Sequence, residues 1–194
     1  MRSTVSEIIR STALANGKTG RGPAAASAGF SLVELLITIA ILAILTSVAA
    51  PSFSSLVSEN RVANASNELL GGLLLTRSEA LKRRSRVTMC ASGDASDCTP
   101  EAGWQAGWIV FEDADQNGKR DVGEVLIRSA APRQTISITG NAPVSKYVSY
   151  VATGRPQLLS GALQMGTISI CEAPFGRQLI INHAGRPRLR RQAC

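Results

Sequence analysis

Near the carboxyl end, four arginines fall within six positions of Gly185-Arg186-Pro187-Arg188-Leu189-Arg190-Arg191. On an extended segment side chains alternate, so Arg186, Arg188 and Arg190 share one face at intervals of about 6.6–6.8 Å. That interval suits successive phosphates along one nucleic-acid strand, and guanidinium forks hold phosphate oxygens in pairs. Such binding releases counterions and is salt-sensitive, with no base readout. Pro187 lacks an N–H, so its strand is expected at an edge or irregular. Gly154-Arg155 and Gly176-Arg177 read as small-basic turns that extend the patch. The competing reading is a solvated basic tail that pairs with acids of a neighbouring subunit.

Two other segments carry candidate chemistry. Asp113-Ala114-Asp115-Gln116-Asn117-Gly118-Lys119-Arg120-Asp121-Val122-Gly123-Glu124 fits the D-x-D-x-N-G-x5-E calcium-loop pattern. Asp113, Asp115, Asn117, Asp121 and Glu124 would supply oxygens. The flanks read as strands rather than helices, however, and a β-hairpin with Asn117-Gly118 in its turn accounts for the same residues. That turn is the preferred reading, and no metal or other cofactor is expected. His183 is the only histidine. No nucleophile motif accompanies it, so it reads as a loop histidine and the chain is not read as an enzyme.

Charge and cysteine usage set the compartment. Of 21 basic and 14 acidic residues, Arg2, Arg10, Lys18, Arg21 and Glu7 precede Gly29, which leaves 17 basic against 13 acidic after it. From Arg177 to Cys194 there are five arginines and no acid, which favours an anionic partner. Aromatic content of 4% argues against base stacking as the main binding mode. Cys90, Cys98, Cys171 and Cys194 lack zinc-site spacing and read as two disulfides in an oxidising compartment. Cys90–Cys98 with Cys171–Cys194 is the favoured pairing, and two other connectivities stay open.

These groups are tied to an apolar run, Phe30 to Ala50, with one charge, Glu34. As a helix its 21 residues reach about 31 Å, enough to span a bilayer. Basic residues before it put the amino terminus in the cytoplasm and the rest in the periplasm. Pro51 is expected to kink the helix. Ser52 to Arg84 continues as an amphipathic helix with Val62, Ala65, Leu69, Leu73, Thr76 and Ala80 on one stripe. Gly71-Gly72 is a weak point that marks a bend. Glu79 pairs with Arg83 at i, i+4. Lys82, Arg83, Arg84 and Arg86 answer the helix dipole, with a DNA contact as the alternative.

Beyond Arg86 the pattern changes to period two. Strands are predicted at 87–91, 107–111, 124–128, 135–139, 147–152, 167–171 and 178–182. The expected class is α+β: a long amino-terminal helix packed against antiparallel sheets.

Gly29-Phe30-Ser31-Leu32-Val33-Glu34-Leu35-Leu36 resembles the type III signal of type IV prepilins and type II secretion pseudopilins. The resemblance implies four parts: leader 1–29, transmembrane half-helix 30–50, amphipathic half-helix 51–85, and a pilin domain 86–194. It implies that a prepilin peptidase cuts between Gly29 and Phe30, that Phe30 is then N-methylated, and that Glu34 serves assembly with other pilins. Further on, Gly107-Trp108-Ile109-Val110-Phe111-Glu112-Asp113 and Gly185-Arg186-Pro187-Arg188 are similar to motifs of the GspH/FimT minor pilins. The FimT branch, which the chain most resembles, is implicated in DNA capture for natural transformation. The resemblance therefore implies binding of double-stranded DNA through Gly185, Arg186 and Arg188, with Arg190 and Arg191 beside them. It implies an inner-membrane subunit that moves into the pilus filament or its tip. The alternative is a structural or priming subunit of the FimU or GspH branch that binds no nucleic acid.

Overall fold

From Val62 to Ala80, apolar and small side chains recur at steps of three and four, and the fold buries that face. In a computed structural model, which describes residues 29–194 apart from residue 134 and the side chains of 48–52, helix α1 spans Leu32–Arg83. Val62, Ala65, Leu69, Leu73, Thr76 and Ala80 are all buried against the sheets. The Thr76 hydroxyl donates to the Gly72 carbonyl at 2.7 Å and so stays satisfied in the core.

The chain divides between Leu45 and Thr46 into two compact units. In the first, Ser31 precedes α1 and its Oγ accepts the Glu34 N–H at 3.2 Å. Ser31-x-x-Glu34 is therefore a helix-starting cap. Glu34 and Phe30 are exposed. Among the described residues no helix is long and apolar enough to cross a membrane. The side chains of 48–50, at the end of the predicted span, lie outside the described residues. Residues 1–28 of the predicted leader and the predicted kink at Pro51 lie outside the described residues.

The second unit holds the rest of α1 and two four-stranded antiparallel sheets. Strands β1 (Val87–Ala91), β2 (Trp108–Glu112), β3 (Leu126–Ala130) and β5 (Tyr147–Tyr150) form one sheet, ordered β3-β2-β1-β5. Strands β4 (Ser137–Gly140), β6 (Gly166–Glu172), β7 (Phe175–Ile181) and β8 (Pro187–Ala193) form the other, ordered β4-β6-β7-β8. One core joins the α1 stripe to Met89, Trp108 and Val110 of the first sheet and to Ile168, Ile170 and Leu179 of the second. Cys90, Ile109 and Phe111 form a separate cluster on the first sheet's other face, so every residue of β1 is buried.

Several local readings are corrected. Strand β1 keeps its predicted limits, the other predicted limits move by at most three residues, and β8, expected as an edge or irregular strand, is a full strand. The α1 helix runs unbroken through Gly71 and Gly72. Gly72 serves packing: a Cβ there would lie 2.8 Å from Trp108 Cη2. Arg86 leaves the helix-end cluster and is buried, donating to Ser149 Oγ at 2.7 Å and to the Gln157 carbonyl at 3.0 Å. Lys82 and Arg83 both pair with Glu79, and Arg83 also with Glu112.

Candidate nucleic-acid interface

The arginine segment begins in the β7–β8 turn. Asn182 organises that turn twice: its carbonyl accepts the Gly185 N–H at 2.9 Å, and its Oδ1 accepts the Arg186 N–H at 3.1 Å. Gly185 has φ +71° and is buried, and a Cβ would lie 2.6 Å from the Gly154 carbonyl oxygen. Only glycine meets both demands. The turn thus fixes where Arg186 leaves the backbone.

From there β8 forms the edge of its sheet, in continuous register with β7: Ile181↔Pro187, Leu179↔Leu189 and Arg177↔Arg191. Pro187 starts the strand, where a missing N–H is tolerated. Pro187 is buried and Leu189 packs on the core, while Arg186, Arg188 and Arg190 are exposed. Alternation therefore turns Arg188 and Arg190 to the outer face of the sheet. Their outer-face neighbours are Gln178 and Ile180 on β7, Thr167 and Ser169 on β6, and Ser137 and Thr139 on β4, by the strand registers. Among the described residues no carboxylate lies on this face. Glu172, the one acid after Glu124, faces α1, where its Oε1 accepts from Ser58 Oγ at 2.9 Å and Arg61 Nη1 at 3.3 Å.

Arg191 is separated from the set. It lies on the opposite side of β8, cross-strand from Arg177 and 3.9 Å from Glu59 of α1. Gly176-Arg177 is not a turn but part of β7, whereas Gly154 (φ +70°) does sit in a turn, with Arg155 exposed after it.

Two disulfides close, Cys90–Cys98 and Cys171–Cys194. The second ties the end of β8 to β6. Gly176 makes room for it, because a Cβ there would overlap Cys194 Sγ. His183 lies exposed in the β7–β8 turn.

The Asp113–Glu124 loop joins β2 to β3. Asn117-Gly118 is not a two-residue hairpin turn but one bend among several, with Gln116, Gly118 and Gly123 at positive φ. Asp113, Asp115 and Glu124 can bring one oxygen each to within 4.8 Å of one another. Those oxygens already accept protein hydrogen bonds. Asp113 is buried and takes Thr88 Oγ1 at 2.7 Å and Gly118 N at 3.2 Å. Glu124 takes Ala114 N at 2.8 Å and Asp121 N at 3.0 Å. Asn117 donates its amide to Asp115 and Asp121 rather than offering them an oxygen neighbour. The residues are committed to shaping the loop and fit a structural turn better than a calcium cage.

The fold is that of a pilin: one long helix whose second part is wrapped by antiparallel sheets. A family model described as type II transport protein GspH matches residues 65–185, and one for the prokaryotic N-terminal methylation motif matches residues 25–50. The first covers more than half of the chain, which belongs to the GspH family. It is a minor pilin or pseudopilin of that type, a structural subunit that assembles with other pilins rather than an enzyme. The motif marks it as membrane-anchored and pilus-assembled. The crystal structure of the Pseudomonas aeruginosa type IV minor pilin FimU is similar in fold, with TM-score 0.51, 23% identity, and coverage of 70% of this chain and 96% of that one. The minor pseudopilin EpsH of Vibrio cholerae aligns at TM-score 0.44 and 11% identity over 69% and 97%. No curated protein matches the chain. The GspH match ends at Gly185, so the exposed arginines fall just beyond it.

Asn182 and Gly176 escaped sequence reasoning. An Asn three residues before a Gly is a turn signal that could have found the first. Gly176 has no local signal, since its neighbour Cys194 is supplied by another strand.

Proposed function

We propose that this subunit binds double-stranded DNA through backbone phosphates, for DNA uptake in natural transformation. The observation that carries the reading is the outer face of β8: Arg188 and Arg190 project from one edge strand, Arg186 stands at its entrance, and among the described residues no carboxylate shares the face. Phosphate recognition needs guanidinium groups at backbone spacing and no competing acid, and sequence-independent binding needs nothing more. Serine, threonine and glutamine side chains beside the arginines add neutral donors. In this reading a prepilin peptidase removes residues 1–29, Phe30 is methylated, and residues 30–50 hold the subunit in the inner membrane with residues 86–194 in the periplasm. On assembly Glu34 meets the amino terminus of a neighbouring pilin in the filament core, in a low dielectric that strengthens the contact.

The test is a gel shift of the full chain in detergent micelles against unrelated double-stranded DNA sequences at several salt concentrations. Wild type is expected to bind with steep salt dependence. Arg186→Gln/Arg188→Gln, with an unchanged melting temperature, is expected to lose binding. Absence of wild-type binding at low salt would favour a second reading, a priming or pseudopilin subunit without nucleic acid. The match to a type II transport protein supports that second reading.

A further inference from the structure

Three elements meet beyond the start of β8. The turn after β5 crosses the β7–β8 turn so closely that Gly154 and Gly185, both at positive φ, are in backbone contact. The Gly154 carbonyl also accepts the Nε–H of Arg77, from α1, at 3.0 Å. The residue after each glycine is an arginine, and both Arg155 and Arg186 are exposed. Arg77 is half-buried, with Nε used and its Nη groups left over. Among the described residues no carboxylate pairs with any of the three.

Like charges drawn together from three elements repel unless a counter-charge joins them. Here the backbone roots Arg155 and Arg186 on either side of one glycine–glycine contact, which permits no side chain between the two turns, and Arg77 reaches the same carbonyl. Arg186 is therefore a member of two sets: it opens the β8 row and it belongs to this node.

We infer that Arg77, Arg155 and Arg186 form an anion-binding node that grips a DNA phosphate and continues the track off the sheet onto the turn after β5. The inference rests on the DNA reading above. One phosphate offers several acceptor lone pairs, and guanidinium forks from different directions can share it. The node differs from the β8 row in being built from three elements, so it fixes the direction in which the duplex leaves the sheet.

The test measures DNA affinity against salt for the full chain in micelles, comparing wild type with Arg155→Gln, Arg155→Lys, Arg77→Gln, Arg186→Gln and Arg155→Gln/Arg186→Gln, each with its melting temperature. Arg155→Gln is expected to weaken binding about five- to tenfold at low salt and to lower the salt slope by about one. Arg155→Lys is expected to keep the slope and part of the affinity, because the charge remains. In the Arg186→Gln background the loss from Arg155→Gln is expected to shrink, since both residues hold one phosphate. Arg155→Gln binding like wild type, while Arg186→Gln/Arg188→Gln does not bind, would overturn the node and leave the DNA reading intact. A wild type without salt-sensitive DNA binding overturns both.

Discussion

Cys194 is bonded to Cys171 across an intervening strand, with their Cα atoms 5.9 Å apart. Two strand spacings would separate them by about 9.5 Å. The chain end therefore folds over β7, its amide donating to the Pro174 carbonyl at 3.3 Å, and Gly176 leaves room for the sulfurs. The edge strand that carries Arg188 and Arg190 is clamped at its far end by this bond and at its near end by the Asn182 turn. An edge strand pairs on one side only, so its position depends on such clamps.

Replacing Cys171 and Cys194 by serine removes a cross-link over a sequence separation of 23. The expected loss is about 3 kcal/mol of unfolding free energy, measured by urea denaturation. Amide exchange should accelerate first along β8. Gly176→Ala with the disulfide intact is expected to cost about 1–3 kcal/mol by overpacking. An alanine variant as stable as wild type would show that the disulfide does not cross the strand as described.

Two adjacent glycines on α1 are expected to respond with opposite sign. A Cβ on Gly71 meets nothing within 4 Å, whereas one on Gly72 would lie 2.8 Å from Trp108 Cη2 and 3.0 Å from Met89 Cε. Gly71→Ala should stabilise by up to about 1 kcal/mol through helix propensity. Gly72→Ala should destabilise, because displacing a buried tryptophan ring costs about 1–3 kcal/mol, more than the same gain offsets. Thermal melting of both variants decides it, and a stabilised Gly72→Ala would contradict the packing.

What was legible in the sequence depended on how local the cause is. The α1 stripe from Val62 to Ala80 could be read because helical geometry brings those residues to one face whatever covers them. Strand β8 was harder to read, since Pro-Arg-Leu-Arg-Arg-Gln-Ala has one large apolar residue. Its cross-strand partners Leu179 and Ile181 make it a strand. Arg86 looks like another helix-end cation, yet its acceptors on Ser149 and Gln157 lie 63 and 71 positions away. Arg191 reads as part of one basic cluster, but strand alternation, once β8 is paired, turns it toward Glu59. The spacing of Arg186, Arg188 and Arg190 was visible from the outset. Their acid-free surroundings were not, because that face is assembled from four strands.

Acid should weaken the fold through the junction of α1 and β2. Arg83 lies 2.7 Å from both Glu79 and Glu112. The Arg83 hydrogen bond holds the Glu79 carboxyl below its ordinary range, against the opposing effect of burial. The Ser85 hydroxyl, followed by Arg83, does the same for Glu112. Each group binds its proton less readily folded than unfolded. Their contribution is therefore complete above the unfolded glutamate value of about 4.3 and is lost as pH falls through the folded values. The melting temperature should fall steadily below about pH 4.5. Arg83→Gln should melt lower at neutral pH and show a smaller acid-induced drop. An equal drop in both proteins would remove Arg83 from the account.

The two faces of β8 offer a control that holds charge constant. Arg188 and Arg190 lie on the outer face, while Arg191 and its cross-strand neighbour Arg177 lie on the α1 side, near Glu59. Arg188→Gln/Arg190→Gln and Arg177→Gln/Arg191→Gln each remove two positive charges from the same pair of strands. Long-range attraction alone would weaken DNA binding equally in both. Direct phosphate contact predicts a split. The outer-face pair should lower the salt slope by about two, and the inner pair should leave it near the wild-type value. The inner pair should also change stability little, because the exposed Arg191–Glu59 pair at 3.9 Å is weak and the cross-strand Arg177–Arg191 repulsion disappears with it. Equal loss from both variants would mean that the basic strand attracts DNA without holding it in register, and the interface would then have no defined face.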